Sequence, residues 1–302
     1  MSDSKTLGLT LGPVLYNWPI DRFCDFYAKI ADEAPVDRVV IGEAVCSKRE
    51  PFHADKTLEL AERLTRGGKE VFFTTLAMPT TKREMSGIAE LIDAEMPVEV
   101  NDTAAIQMLN GRAHICGPFL NVYNEATLQM HLDLGATRVC LPPELPFESV
   151  EKLAASCNAV EIFAFGRPPL AISARCYHAR VYGLPKDACQ FVCDKDPDGM
   201  PVETMDGKSF LIANGVQTMG YVTIAITRQI KALKEAGVVS LRLSPQASCD
   251  MAKVAGVFRA LADETIAPED AEAQLNGLNM PGPLSDGFLR GVPGARLIGE
   301  PA

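Results

Sequence analysis

Three cysteines fall in one short segment of this chain. Cys176 lies in SARCYHAR, and Cys189 and Cys193 lie four residues apart in DACQFVCDK. A four-residue spacing puts two thiols on one face if that segment is helical. Three thiolates are one short of a closed tetrahedral zinc site or a cubane iron–sulfur cluster. A fourth ligand must therefore come from another part of the chain. IGEAVCSKR offers Cys46 at the mouth of the apolar run RVVI, with Glu43 before it and Lys48 and Arg49 after it. Cys46 is the best candidate if strand ends and the cysteine-rich segment share one face of the fold.

The elements needed to bring these residues together are legible as alternating apolar runs and amphipathic segments. Strands are expected at 6–16, 38–45, 70–78, 97–102, 114–124, 137–144, 159–170 and 238–246. Helices are expected from Asp21, read as an N-cap, and at 53–68, 81–94, 103–111 (capped by Asp102), 125–135, 147–157, 222–237 and 248–264. Eight strand–helix units predict an α/β (β/α)8 TIM-barrel-like domain over residues 1–264. Apolar runs with few interruptions suit strands buried on both faces. No GxGxxG follows the first strand, which weighs against an open dinucleotide-binding sheet. Residues 171–221 interrupt the rhythm as a long insert after strand seven. Loops of that length are usually functional, and in a barrel they lie on the catalytic face. Residues 265–302 form a Pro/Gly-rich tail, read as an irregular strap or a mobile end.

Composition narrows the function classes. A 47 % apolar content supports a large core, and a net charge of −10 argues against a long nucleic acid as partner. No apolar run is long enough to span a membrane. The N-terminus lacks the basic start and apolar stretch of a signal peptide, so a cytoplasmic location is expected. Nine cysteines in such a chain point to ligation rather than disulfides. Cys24, Cys116, Cys140 and Cys157 have apolar neighbours and read as core residues; Cys249 is undecided. HExxH and GxSxG are absent, and His53, His114, His131 and His178 sit in no recognisable triad context, so peptidase chemistry finds little support. The CxxxCxxC run of radical enzymes is also absent, since Asp196 stands in its last place.

GPVLYNWP, IGEAVCSKR, NVYN, PPEL, SARCYHAR, NGVQTM, RLSPQ and the spacing of Cys176, Cys189 and Cys193 resemble the collagenase-like peptidase family. The likeness is to its ubiquinone-biosynthesis branch and runs in order from about residue 9 to 260. It implies a [4Fe–4S] cluster held by Cys46, Cys176, Cys189 and Cys193. It also implies a heterodimer with a UbiU-like sister subunit and oxygen-independent hydroxylation of the ubiquinone ring with prephenate as oxygen donor. A lipid-binding accessory protein would present the polyprenylated precursor, and the route would serve anaerobic growth. Other family members hydroxylate RNA bases, and a non-catalytic, cluster-bearing relay subunit is a further alternative. Zinc is the alternative metal, because four thiolates suit both. Lys48, Arg49, Arg175 and Arg180 are candidates to compensate cluster charge or to bind a carboxylate substrate. Glu43 is a candidate for a proton shuttle or an ion pair, and His178 for support of the ligand Cys176.

Overall fold

A computed structural model describes residues 6–300. Eight parallel strands close into a barrel: β1 (Gly8–Leu11), β2 (Arg38–Ile41), β3 (Glu70–Thr74), β4 (Val98–Val100), β5 (His114–Cys116), β6 (Ala136–Leu141), β7 (Val160–Gly166) and, after an excursion, Ser240–Leu243. The last strand pairs with β7 on one side and with β1 on the other, Gly8 opposite Ser240 and Leu11 opposite Leu243. The expected (β/α)8 barrel is therefore the observed one. Between the first seven strands run α1 (Ile20–Glu33), α2 (Ala54–Arg66), α3 (Lys82–Asp93), α4 (Thr103–Leu109), α5 (Glu125–Asp133) and α6 (Phe147–Ser156).

Local signals explain the helix starts. Thr81 and Glu84 form a reciprocal capping box at the head of α3, and the Asp102 side chain accepts from Ala104 N at the head of α4. Asp21 is not the cap of α1. That helix begins after Pro19, and Asp21 lies in its first turn, where a carboxylate favours the helix dipole.

The run 159–170, expected as one strand, is two. After β7, Gly166 turns the chain with φ +116° and β8 (Pro169–Ile172) leaves the barrel. The insert is not structureless. It carries the short helix α7 (Tyr177–Val181) and then β9 (Met200–Glu203), β10 (Ser209–Asn214) and β11 (Gln217–Gly220). These pair antiparallel in the order β8-β11-β10-β9. The stretch 222–237, expected as one helix, begins as β12 (Thr223–Ala225), antiparallel to the end of β7, and becomes helical only in α8 (Ile230–Ala236). The barrel then closes with β13 (Ser240–Leu243), followed by α9 (Met251–Ala262). The tail is more regular than expected. It contains α10 (Pro268–Asn276), begun by a proline, and β14 (Leu284–Ser285), which pairs parallel with β12.

The helix-facing side of the strands is largely apolar, with Leu9, Leu11, Val39, Leu241 and Leu243 buried. The barrel interior is not. Val40, Phe72 and Ile115 form a small apolar cluster there. Elsewhere inside the barrel, Arg242 donates from Nη2 to Glu99 at 2.5 Å and from Nε to Glu161 at 2.6 Å. Thr10 donates to the other oxygen of Glu161 at 2.5 Å. All four side chains are fully buried. Burial raises the Glu161 carboxyl, but Arg242, Arg138 and Thr10 together outweigh it and hold the group at about 2. The stability it supplies is present above the ordinary carboxylate value of 4.5 and is lost as pH falls from there toward 2. Arg242→Leu leaves two carboxylates buried without their cation. It should cost about 3–5 kcal/mol at pH 7, read from denaturant midpoints. The penalty should shrink as pH is lowered toward 3, where protonation of Glu161 relieves the variant of a buried charge and the parent loses the stability it draws from that group. A deficit independent of pH would refute this account of the network.

Candidate functional site

The loop after β2 is shaped by its own side chains. Gly42 takes φ +116°, out of reach of most residues, and redirects the chain. Glu43 then folds back, so that Oε1 accepts from the backbone N–H groups of Val45 at 2.7 Å and Cys46 at 2.9 Å. Ser47 donates to Oε1 of Glu84 at 2.5 Å, joining this loop to the capping box of α3. Burial raises the Glu84 carboxyl, but the bonds from Ser47, Thr80 and Thr81 win and hold it at about 2. Glu43, the residue of this motif hardest to assign from sequence, therefore has at least a positioning role at Cys46.

Arg49 is the largest fully buried side chain, 1 % exposed. Its backbone N–H donates to Cys46 O at 2.9 Å. Nη1 donates to Leu15 O at 3.1 Å, and Nη2 to Oδ1 of Asn214 at 2.7 Å. Asn214, at the end of β10, donates in turn to Cys193 O at 3.1 Å and Asp196 O at 2.9 Å. One guanidinium thus links the Cys46 loop, the strand-one loop and the insert. Gly215 is left-handed at φ +65°, and a Cβ there would collide with Nη2 of Arg49.

The insert supplies the other cysteines. Cys176 caps α7, its Sγ accepting from Ala179 N at 3.4 Å. His178 is buried, with Nδ1 accepting from Gly215 N at 3.2 Å and Nε2 facing Asp196 Oδ2 at 2.8 Å. Those partners assign the ring proton to Nε2. Cys189 ends the 3₁₀ turn Lys186–Ala188, and Cys193 lies in the turn Val192–Lys195. Between them Gln190 and Phe191 are both left-handed, φ 50° and 54°. The segment is therefore not the single helix that a four-residue spacing suggested. Lys48 fastens it to the barrel, donating to Lys186 O and Asp187 Oδ1, each at 2.8 Å.

Cys46, Cys176, Cys189 and Cys193 all line one small cavity, together with Lys48, Arg49 and His178. Burial pushes the Cys46 and Cys193 thiols up, and the Arg49 guanidinium beside them is the largest opposing influence. Arg49 Nε is buried and has no hydrogen-bond acceptor among the described residues. Among those residues no three His, Cys, Asp or Glu side chains are arranged as a ready metal-holding group. The donor set is nevertheless suited in kind to a thiophilic centre: four thiols, a buried cation with a spare N–H, and a backbone donor at Cys176. Arg175 and Arg180 are exposed and line neither this cavity nor the larger one beside it. Cys116, Cys140 and Cys249 are buried elsewhere; burial pushes Cys116 and Cys249 up to about 12 and Cys140 well up. Asn214, Leu15 and Gly215 could not be singled out from sequence. An NG pair reads as a turn signal, not as a seat for a buried arginine.

A closed α/β barrel carrying a cysteine-bearing insert on its C-terminal face defines the class. The model of Peptidase family U32 matches residues 25–298, and the chain belongs to that family. Among solved structures, the chain is similar to a cube-shaped porous cage designed by fusing symmetric oligomeric domains, with 10 % identity, 89 % of this chain and 75 % of that one covered, and a TM-score of 0.47. A tryptophan synthase complex from Pyrococcus furiosus matches at 9 % identity, 90 % and 99 % coverage, TM-score 0.41. The YdjI aldolase from Escherichia coli K12 matches at 9 % identity, 93 % and 95 % coverage, TM-score 0.34.

Thiol accessibility tests the arrangement. In metal-free protein treated with iodoacetamide, Cys176 and Cys189, like the half-exposed Cys24 and Cys157, should be alkylated before the buried Cys116 and Cys140, which should react only after denaturation, as mass spectrometry of peptides would show. Early labelling of Cys140 with Cys189 protected would contradict it.

Proposed function

We propose that this chain holds a [4Fe–4S] cluster on Cys46, Cys176, Cys189 and Cys193. We further propose that it acts as the UbiV-type subunit of a heterodimer with a UbiU-like sister in oxygen-independent ring hydroxylation of a ubiquinone precursor, with prephenate as oxygen donor. The observation that carries the reading is the convergence of four cysteines, one from the barrel and three from the insert, on a single cavity. Family membership and the motif resemblance support the pathway assignment. A bound cluster would supply one-electron redox chemistry or an activating iron.

The surrounding residues have definite work in this reading. Four thiolates bring negative charge, which Arg49 offsets at the cavity wall, with Lys48, paired to Asp187, beside it. The Ala179 N–H already donates to Cys176 Sγ, which fixes that sulfur at the head of α7. His178 spends both ring nitrogens on Gly215 and Asp196, so it orients the insert and is not left over as a ligand.

Anaerobic purification should give a brown protein with about four irons per chain. Replacing any one of Cys46, Cys176, Cys189 or Cys193 by Ala should bleach it, while Cys116→Ala and Cys140→Ala should remain brown. A colourless zinc protein would overturn the cluster. Arg49→Met keeps the four thiols, yet it should weaken cluster retention by roughly 10–100-fold, as loss of a supporting contact does. Deleting the gene should abolish ubiquinone made without oxygen and spare aerobic synthesis. Normal anaerobic ubiquinone, or a hydroxylated nucleoside missing from the RNA of the deletion strain, would redirect the assignment.

A further inference from the structure

A second and larger cavity, of about 810 Å³, opens beside the cysteines and shares Lys48 and Phe191 with their cavity. It lies over the C-terminal ends of β1, β2 and β3 and runs between α2 and α3. That volume is within the range of small-molecule sites. Its walls are apolar and partly aromatic: Val14, Phe23, Ile41, Phe73, Leu91 and Phe191. Its charge is acidic, since Glu43, Glu50, Glu84 and Glu90 face two cations, Lys48 and Arg83. Lys48 is already paired with Asp187. Fixed negative charge opposes an anionic ligand, and the apolar walls make burial of an ion of either sign costly, so an uncharged ligand is favoured.

Two details point to what is held there. Both backbone donors to Glu43 fall on Oε1, and among the described residues Oε2 accepts nothing, although Glu43 lines the cavity. That oxygen is available to a hydroxyl group. The second detail is Gly87, which lines the cavity from the middle of α3. Glycine inside a helix costs about 0.5–1 kcal/mol relative to alanine. Nothing in the protein requires it: φ is ordinary, and a Cβ would meet no atom within 4 Å. The missing side chain instead keeps the cavity wide.

We propose that this cavity binds an uncharged aromatic ligand bearing a hydroxyl group, which donates to Oε2 of Glu43. The same carboxylate holds the Cys46 loop through Oε1, so ligand and cysteine loop share one anchoring group. Resting on the functional reading above, this assigns the phenolic ring precursor, and not the dicarboxylate donor, to this cavity.

The probes are 4-propylphenol and 4-propylbenzoate, alike in shape and different in charge at pH 7, titrated calorimetrically into the full-length protein. The phenol should bind one to one, and the benzoate at least tenfold more weakly. Glu43→Gln can keep the acceptor for the loop while losing the charged acceptor for the ligand, and should weaken the phenol about tenfold. Gly87→Leu adds a side chain to open space on a helix that favours it, so it should fold, fill the cavity and abolish phenol binding. Benzoate binding as tight as phenol, no phenol binding at all, or phenol binding unchanged in Gly87→Leu would each overturn the proposal. Iron content of the same samples separates the two readings. Phenol binding to a chain that never loads iron would defeat the cluster and leave the cavity assignment standing. Full iron with no phenol binding would do the reverse.

Discussion

The site depends on one buried cation. Arg49 leaves the loop after β2, passes beneath the cysteine cavity and ends on carbonyl and amide oxygens of Leu15 and Asn214. Burying a guanidinium without a carboxylate is costly unless its donors are met. The protein meets the terminal nitrogens with neutral oxygens and leaves Nε without an acceptor. The usual solution, a salt bridge, is found 193 residues later in Arg242, which has two carboxylates. The contrast is informative. Arg242 is balanced within the barrel by two direct ion pairs, whereas Arg49 makes no direct ion pair and has the nearby Glu43 carboxylate and the cavity thiols as its negative neighbours.

Around that cation the insert and the barrel hold each other in place. Gly215 makes room for the guanidinium, Asn214 relays it to the backbone of Cys193, and His178 and Lys48 secure the flanking turns. Ordering some fifty inserted residues opposes folding through lost chain entropy. The four-stranded sheet β8-β11-β10-β9 supplies its own backbone hydrogen bonds, so the cysteine turns hang from a regular scaffold and not from a loose loop. The acidic cavity beside them is tied in through Glu43 and, by way of Ser47, through the cap of α3. A change at either cavity is thus felt through the same few residues of IGEAVCSKR.

Much of this was legible in the sequence, and what was not has physical reasons. The eight barrel strands announce themselves by apolar runs between helical stripes, and the break in rhythm after residue 170 marked the insert. Placing Cys46 at a strand end was enough to bring it to the insert's side of the barrel. The long-range polar pairs were not visible. Glu99, Glu161 and Arg242 occupy strand positions that read as interruptions of apolar runs, and only barrel closure turns them to face one another. Thr223–Ala225 reads as helix from sequence because three residues give too little pattern to separate periods of 2 and 3.6. The proline and glycine content of the tail concealed a helix whose proline simply sits at its first position. Arg175 and Arg180 were attractive for their neighbours in sequence, but they lie on the exposed side of the segment that carries Cys176.

Barrel closure through β1 and β13 also sets a schedule for synthesis. The partner strand of residues 8–11 ends at Leu243, and the acceptor for Arg49 is Asn214. Cys46 leaves the ribosome 130 residues before Cys176. At ~5–20 residues per second, that interval lasts roughly 6–26 s. Throughout it, Cys46 and Arg49 belong to a nascent chain whose seam is open. The four thiols can meet only once Cys193 has emerged, and the barrel that seats Cys46 closes only after Leu243, so whatever they hold is acquired after those segments are made.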